Sequence, residues 1–227
     1  MIRQNLALVK EKIEKAAKRA GRDPKEICLV SVTKTANIVQ LQEAISSGIS
    51  DIGENRVKDA LLKYDSLGER AKGMKWHMIG HLQTNKVTKC LKIFDAIHSL
   101  DSMSLAHEID KQAGVIGRHI DCFIEINVSG EASKYGISPD GVHNFVKQIS
   151  HFSNINIVGL MTIAPISQDS EAARPYFKRL RCLRDSLRQG RIENSGIKEL
   201  SMGMTQDFEV AIEEGATFVR IGTAIFK

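Results

Sequence analysis

The run Leu29-Val30-Ser31-Val32-Thr33-Lys34 is apolar and β-branched and stops on a lysine, placing an amine where it could meet a carbonyl. Near the other end of the chain, Ser201-Met202-Gly203-Met204 and Val219-Arg220-Ile221-Gly222-Thr223 combine glycines with hydroxyls. Glycine lets backbone amides approach an anion closely, and Ser201 and Thr223 offer hydroxyl donors, which is the chemistry of a phosphate cradle. A strand-end amine facing such a cradle points to an aldehyde carrying a phosphate, bound as an imine. Each part also has an ordinary reading. A lysine at a strand end is commonly just solvated, and glycine after a strand is turn punctuation.

To attack a carbonyl, the Lys34 amine must lose its proton, and neighbouring positive charge or desolvation lowers a lysine pKa from about 10 toward neutrality. Arg220 is a candidate source of that charge, because its alternation with Val219 and Ile221 puts it on the opposite strand face. An arginine inside a barrel is costly without a partner, so an inward Arg220 implies a ligand or a carboxylate. Asn55 and Asn85 follow the second and third predicted strands and read either as hydrogen-bonding groups around a ring or as helix caps. His77 falls within a strand and His81 in the loop after it; no carboxylate shares their spacing as a metal-ligand set, so no metal is expected. Lys86 and Lys134 fall on loops and read as solvated charges.

The elements that must position these groups alternate. An amphipathic helix is predicted over residues 4–20, with Leu6, Val9, Ile13 and Ala16 on one side and Gly21 and Pro24 ending it. Strands are predicted at 27–33, 49–53, 75–79, 96–100, 119–128, 155–163, 199–202 and 217–221. Helices over 38–47, 57–67, 85–92, 103–113, 139–151, 169–189 and 209–214 connect them. Eight strands, each after the first reached through a helix, predict parallel pairing and an α/β fold. A single (β/α)8 TIM-type barrel with an extra N-terminal helix, spanning 1–227 as one domain, is the natural closure; a doubly wound open sheet is its competitor. In a barrel, Lys34, Asn55, Ser201 and Thr223 would all lie at the carboxyl ends of strands.

Composition narrows the partners. No apolar run among the 227 residues approaches the roughly 20 that a membrane span needs, so no membrane association is expected. The segment Met1-Ile2-Arg3-Gln4-Asn5 carries charge where a secretory core would be apolar, which predicts a cytoplasmic protein without an export signal. Net charge is +5, with much of the excess between Lys178 and Arg191. There Phe177, Leu180, Leu183 and Leu187 fall at helical spacing and leave the arginines on an outer face, without the interleaved aromatics that stack nucleic-acid bases. No nucleic-acid partner is expected. Cys28, Cys90, Cys122 and Cys182 are widely separated and read as reduced core thiols.

Taken together, Ser31-Val32-Thr33-Lys34, Gly53-Glu54-Asn55, the run from Trp76 to Lys86, Gly159-Leu160-Met161, Leu200 to Met204 and Val219 to Phe226 resemble the pyridoxal phosphate homeostasis protein family. The matches come in order and span nearly the whole chain. That family is similar in fold to the N-terminal barrel of alanine racemase. The resemblance implies that Lys34 forms the internal aldimine with pyridoxal 5'-phosphate. It further implies that Ser201, Gly203, Gly222 and Thr223 hold the phosphate, that Arg220 contacts the pyridine nitrogen and that Asn55 lies beside the ring. Asp51-Ile52 precedes the Gly-Glu-Asn motif where an aromatic residue is more usual, and Arg56 follows it where tyrosine is common.

The implied function is to bind the cofactor and take part in intracellular vitamin B6 homeostasis, as buffer or carrier without robust turnover, with apo pyridoxal-phosphate enzymes as partners. A guanidinium at the ring nitrogen leaves that nitrogen unprotonated and weakens the electron sink. The alternative is an amino-acid racemase, which needs a second acid/base group across the ring from the lysine. In alanine racemase a second domain of the partner subunit supplies it. No such domain is expected in these residues, which favours a monomer; Tyr135 is the loop tyrosine that could substitute.

Overall fold

A computed structural model describes residues 1–190 and 196–227. Among them, eight parallel strands close in sequence order, β1 pairing with both β2 and β8. They are β1 (Cys28–Val32), β2 (Asp51–Glu54), β3 (Lys75–Met78), β4 (Ala96–Leu100), β5 (Ile120–Glu125), β6 (Ile155–Met161), β7 (Glu199–Ser201) and β8 (Phe218–Ile221). The expected barrel is the observed one, so the open-sheet competitor is set aside. Helices α1 (Ile2–Arg19), α2 (Ile38–Ser46), α3 (Val57–Leu67), α4 (Glu69–Lys72), α5 (Val87–Cys90), α6 (Met103–Val115), α7 (Val142–Ile149), α8 (Arg174–Gln189), α9 (Phe208–Glu213) and α10 (Thr223–Phe226) surround it. None of the described helices is long and apolar enough to cross a membrane.

Local sequence explains the element ends. Asn37 and Gln40 form a reciprocal capping box that starts α2, and the Ser102 hydroxyl accepts from the Leu105 amide to start α6. Pro175 sits in the first turn of α8, where its missing N–H costs little. α1 buries Ile2, Leu6, Val9 and Ile13 against α9, α10 and α2, and Asn5 donates to the Ile225 carbonyl. The N-terminal helix thereby seals the seam where β8 meets β1.

Alternation along each strand divides the core in two. Outward residues such as Ile52, Trp76, Ile97, Ile124, Leu200 and Val219 join the helices in one continuous apolar shell. Inward residues form a separate layer in which Val30, Val32, Ile79, Phe123 and Met161 lie among Asp51, His77, His98, Ser201 and Arg220.

Four readings of the sequence need correction. The fifth strand stops at Glu125 rather than Val128, because the chain turns away after a single bridge between Ile126 and Ile137. The helix foreseen over 85–92 is a 3-10 turn, Thr84–Lys86, followed by α5. Cys182 is an exposed thiol and not a core one, since α8 turns Phe177, Leu180 and Leu187 inward and residue 182 away from them. Within the arginine-rich face, Arg184 donates to the Lys198 carbonyl and Arg181 pairs with Glu214, so both are half-buried. Arg191 lies outside the described residues.

Candidate functional site

The carboxyl ends of β7, β8, β1 and β2 are neighbours in the closed ring, and together they carry the seven residues that the resemblance assigns to the cofactor. Register sets Val32 beside Gly53 and Ser31 beside Ile221, so Lys34 rises between the ends of β2 and β8. Lys34 and Asn55 are exposed at the rim. Gly80 explains how Asn55 is seated: a Cβ there would lie 2.5 Å from the Asn55 carbonyl oxygen, so only glycine admits this approach of the β3 end.

The backbone just before Lys34 is clamped from the shell side. Glu54, 1% exposed, accepts a 2.5 Å hydrogen bond from the Thr33 hydroxyl and a 2.6 Å ion pair from Lys63. The Lys63 ammonium also donates to the Thr33 carbonyl. A buried carboxylate is tolerable only with such partners. The clamp fixes the residue preceding the amine through both its side chain and its carbonyl.

Arg220 points into the barrel, as its alternation predicts. It is 4% exposed, donates to the Ser201 hydroxyl at 2.5 Å and to the Thr162 carbonyl at 2.8 Å, and makes no ion pair with a described carboxylate. A guanidinium carries five N–H donors, and the described residues take two. Burial pushes the Arg220 pKa down to about 10, opposed by Glu125 and Asp207, so it remains a cation at neutral pH. Beneath it, His98 Nδ1 lies 2.8 Å from the Ser201 hydroxyl, His98 Nε2 3.0 Å from His77 Nδ1, and His77 Nε2 2.9 Å from Asp51. Burial, with His77 and Arg220 nearby, holds the His98 pKa well below the usual imidazole range. For Asp51, burial pushes upward, but hydrogen bonds from His77, Ser50 and Cys28 outweigh it and leave the carboxyl below its ordinary value.

The four residues of the predicted cradle divide. Gly203 has φ +90°, and a Cβ there would meet the Ala211 Cβ at 2.5 Å and the Phe208 Cα at 2.9 Å. At Gly222 a Cβ would meet the Val32 carbonyl oxygen at 2.9 Å. Thr223 is exposed at the start of α10. The Ser201 side chain lies apart from these three, fully buried inside the barrel between Arg220 and His98.

Sequence reasoning passed over Glu125, at the inward end of β5. It is 8% exposed, and burial, reinforced by Asp101, pushes its pKa to about 7 despite Arg220. Its signal was a carboxylate in register with Phe123 inside the longest apolar run. Asp207 accepts from the Met204 amide at 2.6 Å and ties down the loop after β7. In the loop after β3, His81 binds Asp101 of the loop after β4 at 2.9 Å and stacks on Tyr135 of the loop after β5 with ring centroids 3.9 Å apart. At the opposite end of the barrel, a cavity of about 610 Å³ is lined by Cys28, Asp51, His77, Phe123 and Phe218, with Lys75 and Glu199 also on its wall.

This geometry has close relatives. The alanine racemase N-terminal domain model matches residues 4–227. The pyridoxal phosphate homeostasis protein of Aquifex aeolicus is 44% identical over 223 residues, covering 98% of this chain and 96% of that protein. Its namesake in Escherichia coli K12 is 35% identical, covering 99% of this chain and 95% of that one. The structure of PipY from Synechococcus elongatus with PLP bound superposes with a TM-score of 0.87 at 31% identity, each chain fully covered. An alanine racemase of Clostridium difficile, 14% identical with a TM-score of 0.72, shares the fold over 99% of this chain and 56% of its own. The chain belongs to the alanine racemase N-terminal domain family and, within it, to the pyridoxal phosphate homeostasis proteins.

Proposed function

We propose that this chain is one barrel unit over 1–227 that binds pyridoxal 5'-phosphate reversibly through Lys34 and buffers or carries vitamin B6 in the cytoplasm, acting as a monomer. The observation that carries this reading is a buried guanidinium with donors to spare, on the strand next to an exposed, backbone-clamped lysine. The residues suit the group. When bound, pyridoxal phosphate supplies an aldehyde carbon open to an amine and a phosphate that anchors it. Lys34 offers the amine. Gly203 and Gly222 let their turns pack directly on Ala211, Phe208 and Val32, and in this reading their backbone faces the phosphate while Thr223 adds a hydroxyl. Arg220 donates to a ring nitrogen and does not protonate it, because a guanidinium does not give up its proton. Asn55 flanks the ring from β2. Ser201 acts through Arg220 and leaves the anion to its neighbours. The unprotonated nitrogen weakens the electron sink and so disfavours transamination and decarboxylation, and release to apo-enzymes follows from the exposure of Lys34.

One observation favours a second reading, an amino-acid racemase. His81, oriented by Asp101 and stacked on Tyr135, forms an acid/base cluster on the loops after β3, β4 and β5, and β5 lies opposite β1 in an eight-strand ring. Incubating the loaded protein with single amino-acid enantiomers in deuterated water separates the two. No α-proton exchange is expected.

The decisive experiment adds the cofactor, traps it with borohydride and maps the added mass by peptide mass spectrometry. The expected adduct is on Lys34 and is lost in Lys34→Ala; mass on another lysine, or none with vitamer in excess, overturns the assignment. Transfer from the loaded protein to an apo-enzyme in the presence of a free-cofactor trap is expected to outpace transfer from free cofactor.

A further inference from the structure

The contacts beneath Arg220 fix more than position, because hydrogen bonds have direction. Asp51, ionised, can only accept, so the proton on His77 Nε2 must point to it. In a neutral His77 ring, Nδ1 is then an acceptor and must receive the proton of His98 Nε2. His98 Nδ1 is left as an acceptor, and the donor within reach is the Ser201 hydroxyl. With its proton committed to His98, the Ser201 oxygen presents its lone pairs to the Arg220 guanidinium. Every donor in the series points toward Asp51, and every polar atom in it has a partner.

The competing protonation state fails on the same count. A doubly protonated His77 would donate to His98 Nε2, force His98 Nδ1–H toward Ser201, and leave that oxygen facing two donors with its own proton unplaced. It would also place a second buried cation in the same series, two groups from Arg220.

We propose that Asp51, His77, His98 and Ser201 are positioning residues for Arg220: a one-way donor series, anchored on Asp51 beside the cavity at the far end of the barrel, aims the guanidinium at the candidate site. Its consequence for cofactor binding rests on the function proposed above. The series makes the two ends of the barrel interdependent, since Asp51 and His77 line the lower cavity while Arg220 serves the upper rim. It also assigns Ser201 a role that excludes it from the phosphate cradle, because a hydroxyl has one proton to give.

The first measurement needs no cofactor. Long-range proton–nitrogen correlation on the full chain labelled at histidine nitrogens, with His77→Gln and His98→Gln used to assign two of the seven histidines, is expected to show both rings neutral at pH 7 with the proton on Nε2. A proton on His98 Nδ1, or a doubly protonated His77, overturns the direction of the series. The second measurement is pyridoxal phosphate titration followed by absorbance. His98→Leu severs the series and is expected to weaken binding by about tenfold, the scale of a lost hydrogen bond supporting a charged group. His98→Gln restores one donor and one acceptor at imidazole spacing and is expected to recover to within about threefold. Equal affinity for Leu, Gln and wild type overturns the positioning role. If His98→Leu does not fold, Asp51→Asn, altered at the cavity end, takes its place, and unchanged affinity there counts the same way. Should wild-type protein take up no pyridoxal phosphate, the proposed function fails while the ring assignments still decide the series.

Discussion

Two buried polar clusters flank Lys34, and they hold their charges on opposite terms. The Thr33–Glu54–Lys63 clamp lies outside the strands in an otherwise apolar shell and is an ion pair at 2.6 Å. The series under Arg220 lies inside the strands, with imidazole and hydroxyl groups between its two charged ends, and the proposed tautomers bond it in one direction. Charge fixes a backbone in the first; donor polarity fixes a side chain in the second. The contrast shows how one site can demand an exposed lysine in a set place and a buried arginine at a set angle.

The largest effect should come from breaking the clamp. Lys63→Met keeps the aliphatic stem but strands the Glu54 carboxylate, and removing one partner of a buried pair costs about 3–5 kcal/mol. Urea denaturation should show a midpoint lowered accordingly; a loss below about 1 kcal/mol would mean that Thr33 alone satisfies the carboxylate. Glu125 sharpens the comparison, being a carboxyl inside the barrel without a salt bridge to a described residue. Its pKa is about 7 in the folded chain against an ordinary 4.5. Between those values the unfolded chain has lost a proton that the folded chain retains. Stability should therefore fall as pH rises through that window and level off above it. Glu125→Gln should abolish the fall and be more stable than wild type at pH 8 by up to about 3 kcal/mol, at 1.36 kcal/mol per unit. Equal slopes in the two proteins would place the ionised form comfortably in the fold. The smallest effect belongs to Lys34→Ala: an exposed side chain whose loss should move stability by less than about 0.5 kcal/mol while abolishing the borohydride-trapped adduct.

Much of this was legible beforehand for a physical reason. Alternation alone sends Arg220 inward between Val219 and Ile221, and the β/α rhythm requires a parallel closure that brings β8 beside β1. What stayed hidden depends on pairing across strands. A hydroxyl on a strand next to a glycine turn reads as a cradle donor, and nothing local reveals that Ser201 meets a histidine 103 positions away. The alternation of β4 would send Leu100 inside with His98. A register shift between Ile97 and Leu100 turns Leu100 into the shell and keeps His98 within. Glu54 sits in a motif that draws the eye to Asn55, although its parity points it outward, to a lysine on α3.

The pairing of β1 with β8 joins residues 28–31 to residues 218–221, across almost the whole described barrel. Until β8 is in place, Lys34 has no guanidinium on the neighbouring strand and no closed ring around it. A chain cut before Phe218 would keep Lys34 but lose the strand that carries Arg220 and completes the ring beside it.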